Sequence, residues 1–355
     1  MSYKYKVLFV VNSLGKGGAE RVVVNIANKM AEEGNSIFII TFDSEISYTM
    51  NENIEIINIQ KSKNKLLKYI KTIIDFNKII GSLERDKKFD VITSHLPFSN
   101  LICRLSSVRQ RSIHVIHGVY SMYEARGKML LSIILKFLYD GGKVVTVSNG
   151  VKAEMLSRYN LKPEYIKTIY NPIDIEKIKK LSNEKVDFND KYLMYCGRLE
   201  EVKQPQIAIE AFAKGEFYKQ HKLIILGDGS MKGDLISLCK KYKVEDNVVF
   251  LGWENNVYKW MKNCEMLMVT SKFESFSMAI VEALCCNCKV VSVDCDFGPR
   301  EILKGEYKQY LSKVNDIDDL IRVINKALKS YPNNLHKKIE EFNIDNIIKE
   351  YKNLK

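Results

Sequence analysis

The chain lacks several features that would narrow its class at once. No apolar run reaches the roughly 18 residues of a membrane span; the longest candidate, residues 129–139 (MLLSIILKFLY), is short and carries Lys136. The opening MSYKYKVLFVV runs straight into a strand pattern and has no signal-peptide architecture, so a cytoplasmic chain is expected. The eight cysteines are scattered through strand and helix patterns, as in a reducing compartment. Cys285 and Cys288 have C-x-x-C spacing, but no second pair and no histidine lies near them in sequence. Core packing is expected there, and no metal site. The first glycine-rich turn fails the dinucleotide fingerprint G-x-G-x-x-G, because Glu20 stands where the third glycine belongs; this weighs against an NAD-type oxidoreductase. No recognition motif or aromatic interleaving accompanies the basic excess, so nucleic acid is not an expected partner.

What is present suits a packed protein of two domains: 355 residues, 46% hydrophobic and 28% charged. The net charge of +12 is uneven. Residues 1–170 hold 25 Lys/Arg against 15 Asp/Glu, which leaves only +2 for residues 171–355. The excess peaks between Lys61 and Lys88, where lysines, including Lys65, Lys68 and Lys71, alternate with Leu66, Leu67, Ile70, Ile73, Ile74 and Ile79. That spacing reads as a basic amphipathic helix. Either it is a solvated helix packed on its own sheet, or it is drawn to an anionic membrane surface or a phosphorylated acceptor.

Strand and helix patterns alternate along the chain. Residues 6–11 (KVLFVV) form a continuous apolar run, as in a strand buried on both faces. A turn with Gly15, Gly17 and Gly18 follows, then a helical pattern over 21–33; glycines there let a ligand approach backbone at a helix start. Strand patterns recur at 36–42, 54–59, 90–94, 112–116, 143–147 and 166–170. His95 and His117 each follow a strand's carboxyl end, the edge at which open α/β sheets bind ligands. Asn171-Pro172 breaks the pattern and marks a linker, followed by a charged stretch over 176–191. The alternation restarts at 192–196, with Gly227-Asp228-Gly229 as a second glycine turn. Repeated strand–helix–strand order predicts two parallel, doubly wound sheets.

The stretch from Glu274 to Glu282 (ESFSMAIVE) places two carboxylates eight positions apart, after the strand-like 266–270 and across a helix start near Ser277. The unpaired N–H groups of Phe276, Ser277 and Met278 would then face an anion such as a diphosphate. Two carboxylates at most about 12 Å apart along a helix would flank it, which suits a nucleotide-sugar. Taken alone, the pair could equally be two solvated glutamates.

GGAERVV near the start, VSNGVK at 147–152, YNPID at 170–174, GRLEEVK at 197–203, GDG at 227–229 and ESFSMAIVEAL at 274–284 occur together. In order and spacing the chain resembles the family 4 retaining glycosyltransferases of the GT-B fold over essentially its whole length. DCDFGPREIL at 294–303 resembles the branch that builds lipopolysaccharide, capsule and glycan chains, including N-acetylgalactosamine transferases.

The resemblance implies two Rossmann-like domains facing a central cleft. Residues 1–170 would bind the acceptor, 171–340 the nucleotide-sugar, and 341–355 would form a helix crossing back to the first domain. It implies that Arg198 and Lys203 bind the donor diphosphate, that Glu282 accepts from the ribose hydroxyls and that Glu274 contacts the transferred sugar. Gly17 and Gly18 would line the cleft, and His117 would touch the donor sugar. Transfer from a donor, UDP-linked by expectation, to a glycan hydroxyl would retain configuration by front-face attack. No metal or cofactor is implied beyond the co-substrate. Apart from the resemblance, the basic first half without a membrane span suggests a lipid-linked, phosphate-bearing acceptor, with the protein peripheral at the inner face of the cell membrane. The alternative is a catalytically inactive GT-B scaffold subunit. Ser275, Asn287 and Lys289 depart from the usual glycine, glycine and proline, and none removes a charged group.

Overall fold

The computed structural model describes residues 3–60, 68–118, 128–332 and 335–354. The chain divides into two compact units, residues 1–172 with 344–355 and residues 173–343. In the first unit β1 (Lys6–Val11), α1 (Gly18–Glu32), β2 (Ser36–Thr41), β3 (Ile54–Asn58), α2 (Lys68–Leu83), β4 (Val91–His95) and α3 (Pro97–Leu105) follow in order. Then come β5 (Ser112–Ile116), α4 (Lys128–Tyr139), β6 (Lys143–Thr146), α5 (Asn149–Ser157) and β7 (Tyr165–Thr168). The seven strands form one sheet in the order β3-β2-β1-β4-β5-β6-β7, and the pairings are parallel. Parallel sheets are covered on both faces, so their strands read as unbroken apolar runs. Leu8, Val10, Ile40 and Ile92 accordingly share a core with Phe76 of α2 and Ile102 of α3; burying each such side chain is worth roughly 1.5–3 kcal/mol.

The second unit contains α6 (Ile175–Ser182), β8 (Tyr192–Cys196), α7 (Pro205–Lys214), β9 (Lys222–Leu226), α8 (Lys232–Tyr242), β10 (Val248–Gly252) and α9 (Tyr258–Asn263). It continues with β11 (Met266–Val269), β12 (Phe273–Glu274), α10 (Met278–Cys285), β13 (Lys289–Val293), β14 (Asp296–Phe297), α11 (Gly298–Ile302), β15 (Leu311–Ser312), α12 (Ile317–Lys329) and α13 (Leu335–Ile339). Its main sheet runs β10-β9-β8-β11-β13-β15, and β12 pairs separately with β14. The last helix, α14 (Ile344–Lys352), belongs to the first unit, where Lys352 pairs with Glu33 at 2.6 Å.

Two local outcomes differ from the sequence reading, and a third segment, read as a helix, is helical where it is described. The charged stretch after Asn171-Pro172 begins with a helix: Asp174 caps α6 by accepting from the Lys177 N–H at 2.9 Å, and Ile175 and Ile178 turn inward while the lysines face water. The apolar period alone reads as a helix over 101–108, but α3 starts four residues earlier at Pro97, because proline at N1 needs no N–H partner. Of the basic segment, residues 61–67 (with Lys65) lie outside the described residues; Lys68 and Lys71 lie on α2, and Lys71 is exposed.

Two glycine contacts lock the loops after β8 and β9 together. A Cβ on Gly227 (φ +136°) would lie 1.9 Å from the Gly197 carbonyl oxygen, and one on Gly229 (φ +159°) 2.5 Å from that of Leu199. The Leu199 N–H donates to the Asp228 carbonyl at 2.9 Å. We therefore expect Gly227→Ala to destabilise the second unit by about 1–3 kcal/mol. Gly233→Ala, on α8 with open space around it, should be neutral or stabilising by up to about 1 kcal/mol. Thermal unfolding of both variants checks the contrast.

Candidate active site

Each sheet reverses its winding once, between β1 and β4 in the first unit and between β8 and β11 in the second. Ligands of open α/β sheets bind at the carboxyl edge of such a switch point. In the second unit GRLEEVK follows β8 and residues 270–277 follow β11, so Arg198, Lys203, Glu274 and Ser277 all leave that edge.

Lys203 Nζ donates to Glu274 Oε1 at 2.8 Å, and Ser271 Oγ donates to the same oxygen at 2.7 Å. Both partners of the ion pair are largely buried, at 24% and 11% side-chain exposure. Lys203 ends a short 3-10 turn, Glu201–Lys203, held by the Thr270 hydroxyl, which donates to the Gln204 carbonyl at 2.8 Å. Glu274 is not in an open loop: it lies in β12, whose partner β14 brings Asp296-Phe297 alongside. Gly298 is obligatory there, since a Cβ would meet the Phe276 carbonyl at 2.2 Å. Burial, with the Glu274 charge nearby, pushes the Cys295 thiol up to about 12, so it stays protonated.

Helix α10 starts at Met278 with Ser277 as its N-cap in the left-handed region (φ 78°). The unpaired donors of its first turn are therefore centred on Met278 and Ala279 rather than on Phe276. The buried Ser277 hydroxyl has no hydrogen-bond partner among the described residues. Glu282, on the next turns of α10, is 4% exposed and accepts from the Tyr258 hydroxyl at 3.4 Å. Arg198 is more open and pairs with Glu200 at 2.8 Å. The second unit thus gathers Lys203, Glu274 and the amino end of α10 at one edge, with Arg198 on the adjoining loop. A surface depression of about 750 Å³ lies at the opposite, amino-terminal edge, where Glu265 is already held by His221 and Lys191.

In the first unit Gly17 is the N-cap of α1, and its carbonyl accepts from the Tyr48 hydroxyl at 3.0 Å. A Cβ on Gly18 would meet no atom within 4 Å, so the helix start is open. His117 follows β5, and its Nε2 lies 2.9 Å from Nδ1 of the fully buried His95.

Two family descriptions together match nearly the whole chain: Glycosyltransferase Family 4 over residues 16–177, and Glycosyl transferases group 1 over residues 176–345. The chain belongs to the family 4 glycosyltransferases of the GT-B fold. A Campylobacter jejuni N-acetylgalactosamine-N,N'-diacetylbacillosaminyl-diphospho-undecaprenol 4-alpha-N-acetylgalactosaminyltransferase is 28% identical over 95% of both chains. The crystal structure of Anabaena HepE in complex with UDP and glucose matches over 98% of both chains at a TM-score of 0.76 and 20% identity. The lipopolysaccharide outer core galactosyltransferase WaaB matches at 0.73 and 21%, again over 98% of both chains.

Within this glycosyltransferase the E-x7-E spacing and the GRL…K loop were legible in sequence. Ser271, Tyr258 and the β12–β14 pairing were not, since nothing local distinguishes a serine or tyrosine that holds a carboxylate.

The first unit also holds three neutral histidines, His95 and His114 fully buried and His117 half-buried. Burial pulls the pKa of His114 and His117 down to about 4, and burial beside His117 holds that of His95 well below 6.5. The unfolded chain, with ordinary histidines near 6.5, then takes up protons that the folded unit does not. Stability conferred by neutral burial is complete above about pH 6.5 and declines toward pH 4, by up to about 1.4 kcal/mol per pH unit per histidine. Hydrogen exchange of the β4 and β5 amides at pH 7.5 and 5.0, corrected for intrinsic rates, should show clearly lower protection free energies at pH 5.0.

Proposed function

We propose that this glycosyltransferase moves a hexose or N-acetylhexosamine from a UDP-linked donor to a hydroxyl of a lipid-linked glycan, with retained anomeric configuration. The observation that carries the reading is the Lys203–Glu274 ion pair beside the amino end of α10. It puts a cation, a helix N-terminus and a carboxylate able to accept from a sugar hydroxyl at one sheet edge. Arg198 and Lys203 take the donor diphosphate, Arg as a fork and Lys as a compact charge. Glu282 accepts from the ribose hydroxyls, Glu274 from a hydroxyl of the transferred sugar, and His117 meets that sugar.

In the reaction the bond between the anomeric carbon and the β-phosphate oxygen breaks, and the electron pair leaves with UDP. The acceptor oxygen bonds to the same face of the carbon, and its proton passes to the departing phosphate oxygen. Negative charge therefore grows beside Arg198, Lys203 and the α10 N-terminus, which lowers the barrier. Neither glutamate becomes covalently attached. These cationic groups do the work of a divalent metal, so activity should survive EDTA. The Campylobacter relative's name describes a diphospho-undecaprenol-linked acceptor, and HepE was crystallised with UDP; both support the assignment.

Two surface features support contact with an anionic membrane. Helix α4 exposes Met129 (80%), Leu130 (63%), Ile133, Ile134 and Phe137, and its sequence carries two lysines and no acid. On α2, which shares its sheet face, Tyr69, Ile70 and Ile74 are exposed beside Lys71 and Lys78. Apolar side chains rimmed by cations suit an anionic bilayer surface. No helix among the described residues is long and apolar enough to cross a membrane.

Calorimetric titration with UDP, GDP and ADP tests the donor site. UDP should bind, and Glu282→Ala should weaken it roughly 10- to 100-fold, as loss of charged hydrogen bonds worth about 1.5–3 kcal/mol requires. GDP or ADP binding in place of UDP would overturn the donor assignment. Replacing Lys65, Lys68 and Lys71 with Glu should weaken binding to phosphatidylglycerol vesicles with UDP affinity unchanged; equal vesicle binding would refute the membrane reading.

A further inference from the structure

His95 has no place in the reaction above, yet it is fully buried between two hydrogen-bonding groups. Its Nδ1 lies 2.9 Å from His117 Nε2, and its Nε2 lies 3.0 Å from Thr93 Oγ1. Thr93 is itself fully buried, on the same strand β4 two residues earlier. We infer that His95 is a positioning residue that fixes His117 as a neutral imidazole protonated on Nδ1, so that His117 meets the donor sugar as a hydrogen-bond donor and not as a base. The inference rests on the assignment of His117 to the sugar and extends it to the group's chemical state.

The direction of the chain follows from counting protons. Each neutral imidazole has one N–H and one bare nitrogen, and the state of one is set by the bond the other makes. Among the described residues the Thr93 hydroxyl has no hydrogen-bond partner other than His95. A buried O–H left without an acceptor is costly, whereas a spare oxygen lone pair costs less. Thr93 therefore donates to His95 Nε2, His95 donates from Nδ1 to His117 Nε2, and the proton of His117 is left on Nδ1. In the reverse chain the Thr93 O–H would be buried without an acceptor. The depressed basicity of both rings keeps them neutral at physiological pH, so the chain does not break by protonation. Phe9 walls His95 at a ring-centroid distance of 6.0 Å, and Leu96, next in the chain, sits at φ 73°. The side chain is thus held from several sides.

His117 Nδ1 is not among the buried, partnerless atoms, and His117 is only half-buried. The group offered is a neutral N–H, and its partner is a sugar oxygen with a free lone pair. With its basic nitrogen engaged by His95, His117 has no lone pair to accept an acceptor's proton, consistent with the proton leaving on the phosphate.

The test is long-range ¹H–¹⁵N correlation on protein labelled at histidine, which separates N–H from bare ring nitrogens without any ligand. At pH 7.5 His117 should carry its proton on Nδ1 and His95 on Nδ1. His95→Asn places an amide N–H near the lost Nδ1, so it should keep His117 in that state and hold the donor KM within about threefold. His95→Leu removes the donor; His117 should then populate both tautomers, and the donor KM should rise about two- to tenfold with a smaller change in kcat. A wild-type His117 protonated on Nε2, or doubly protonated, would overturn the inference whatever the variants do. A His95→Leu protein with the His117 tautomer unchanged would overturn it as well. Failure of UDP-sugars to bind would instead refute the proposed donor and leave the tautomer result standing.

Discussion

The ion pair between Lys203 and Glu274 joins two segments 71 residues apart and ties together the stretches that follow β8 and β11. Lys203 comes from the loop after β8 and Glu274 from the short strand after β11, so the pair forms only when the two strands lie side by side. Removing either partner would strand a largely buried charge, which is why such a pair resists single substitution even where its net contribution to stability is small. In a donor complex the same two groups would separate their duties. On the proposed function, the ammonium would turn to phosphate and the carboxylate to a sugar hydroxyl, each exchanging one polar partner for another.

The loops that carry these groups hold backbone conformations that the chain does not adopt freely. Leu96, Gln204, Ser277 and Phe297 all have positive φ without being glycine, and each immediately precedes a helix at the carboxyl edge of a sheet. Conformations of this kind cost on the order of 1–3 kcal/mol each and persist only where the surroundings over-determine them. Here the surroundings are visible. Gly298 lets the Phe276 carbonyl approach, Gly227 and Gly229 admit the GRL loop, and Thr270 fastens the turn ahead of Gln204. Strain is concentrated where side chains must be aimed, and the glycine contacts hold it in place.

Much of this was legible in the residues. Unbroken apolar runs such as KVLFVV announce strands covered on both faces, and their alternation with amphipathic segments announces two doubly wound sheets. The spacing of Glu274 and Glu282 across a helix start, with GRLEEVK upstream, singled out the segments that the structure joins through Lys203 and Glu274. The helix α6 was hidden because its charges outnumber its inward residues; only Asp174 as a cap signals it. The start of α3 was hidden because Pro97 carries no apolar period. Tyr258, Ser271 and the pairing of Asp296-Phe297 beside Glu274 had no local signal, since each acts on a residue distant in sequence.

The sequence alone determined the alternation of strands and helices, the lysine-rich character of the first half and the identity of the charged groups. Those follow from short-range periodicity and residue chemistry, which are written locally. Only the tertiary structure decided which of those groups meet: that Lys203 is paired with Glu274, that Arg198 is paired with Glu200, and that His117 is tied through His95 to Thr93. Such contacts depend on which strands become neighbours and on the directions their carboxyl ends impose, and no window of sequence contains both partners.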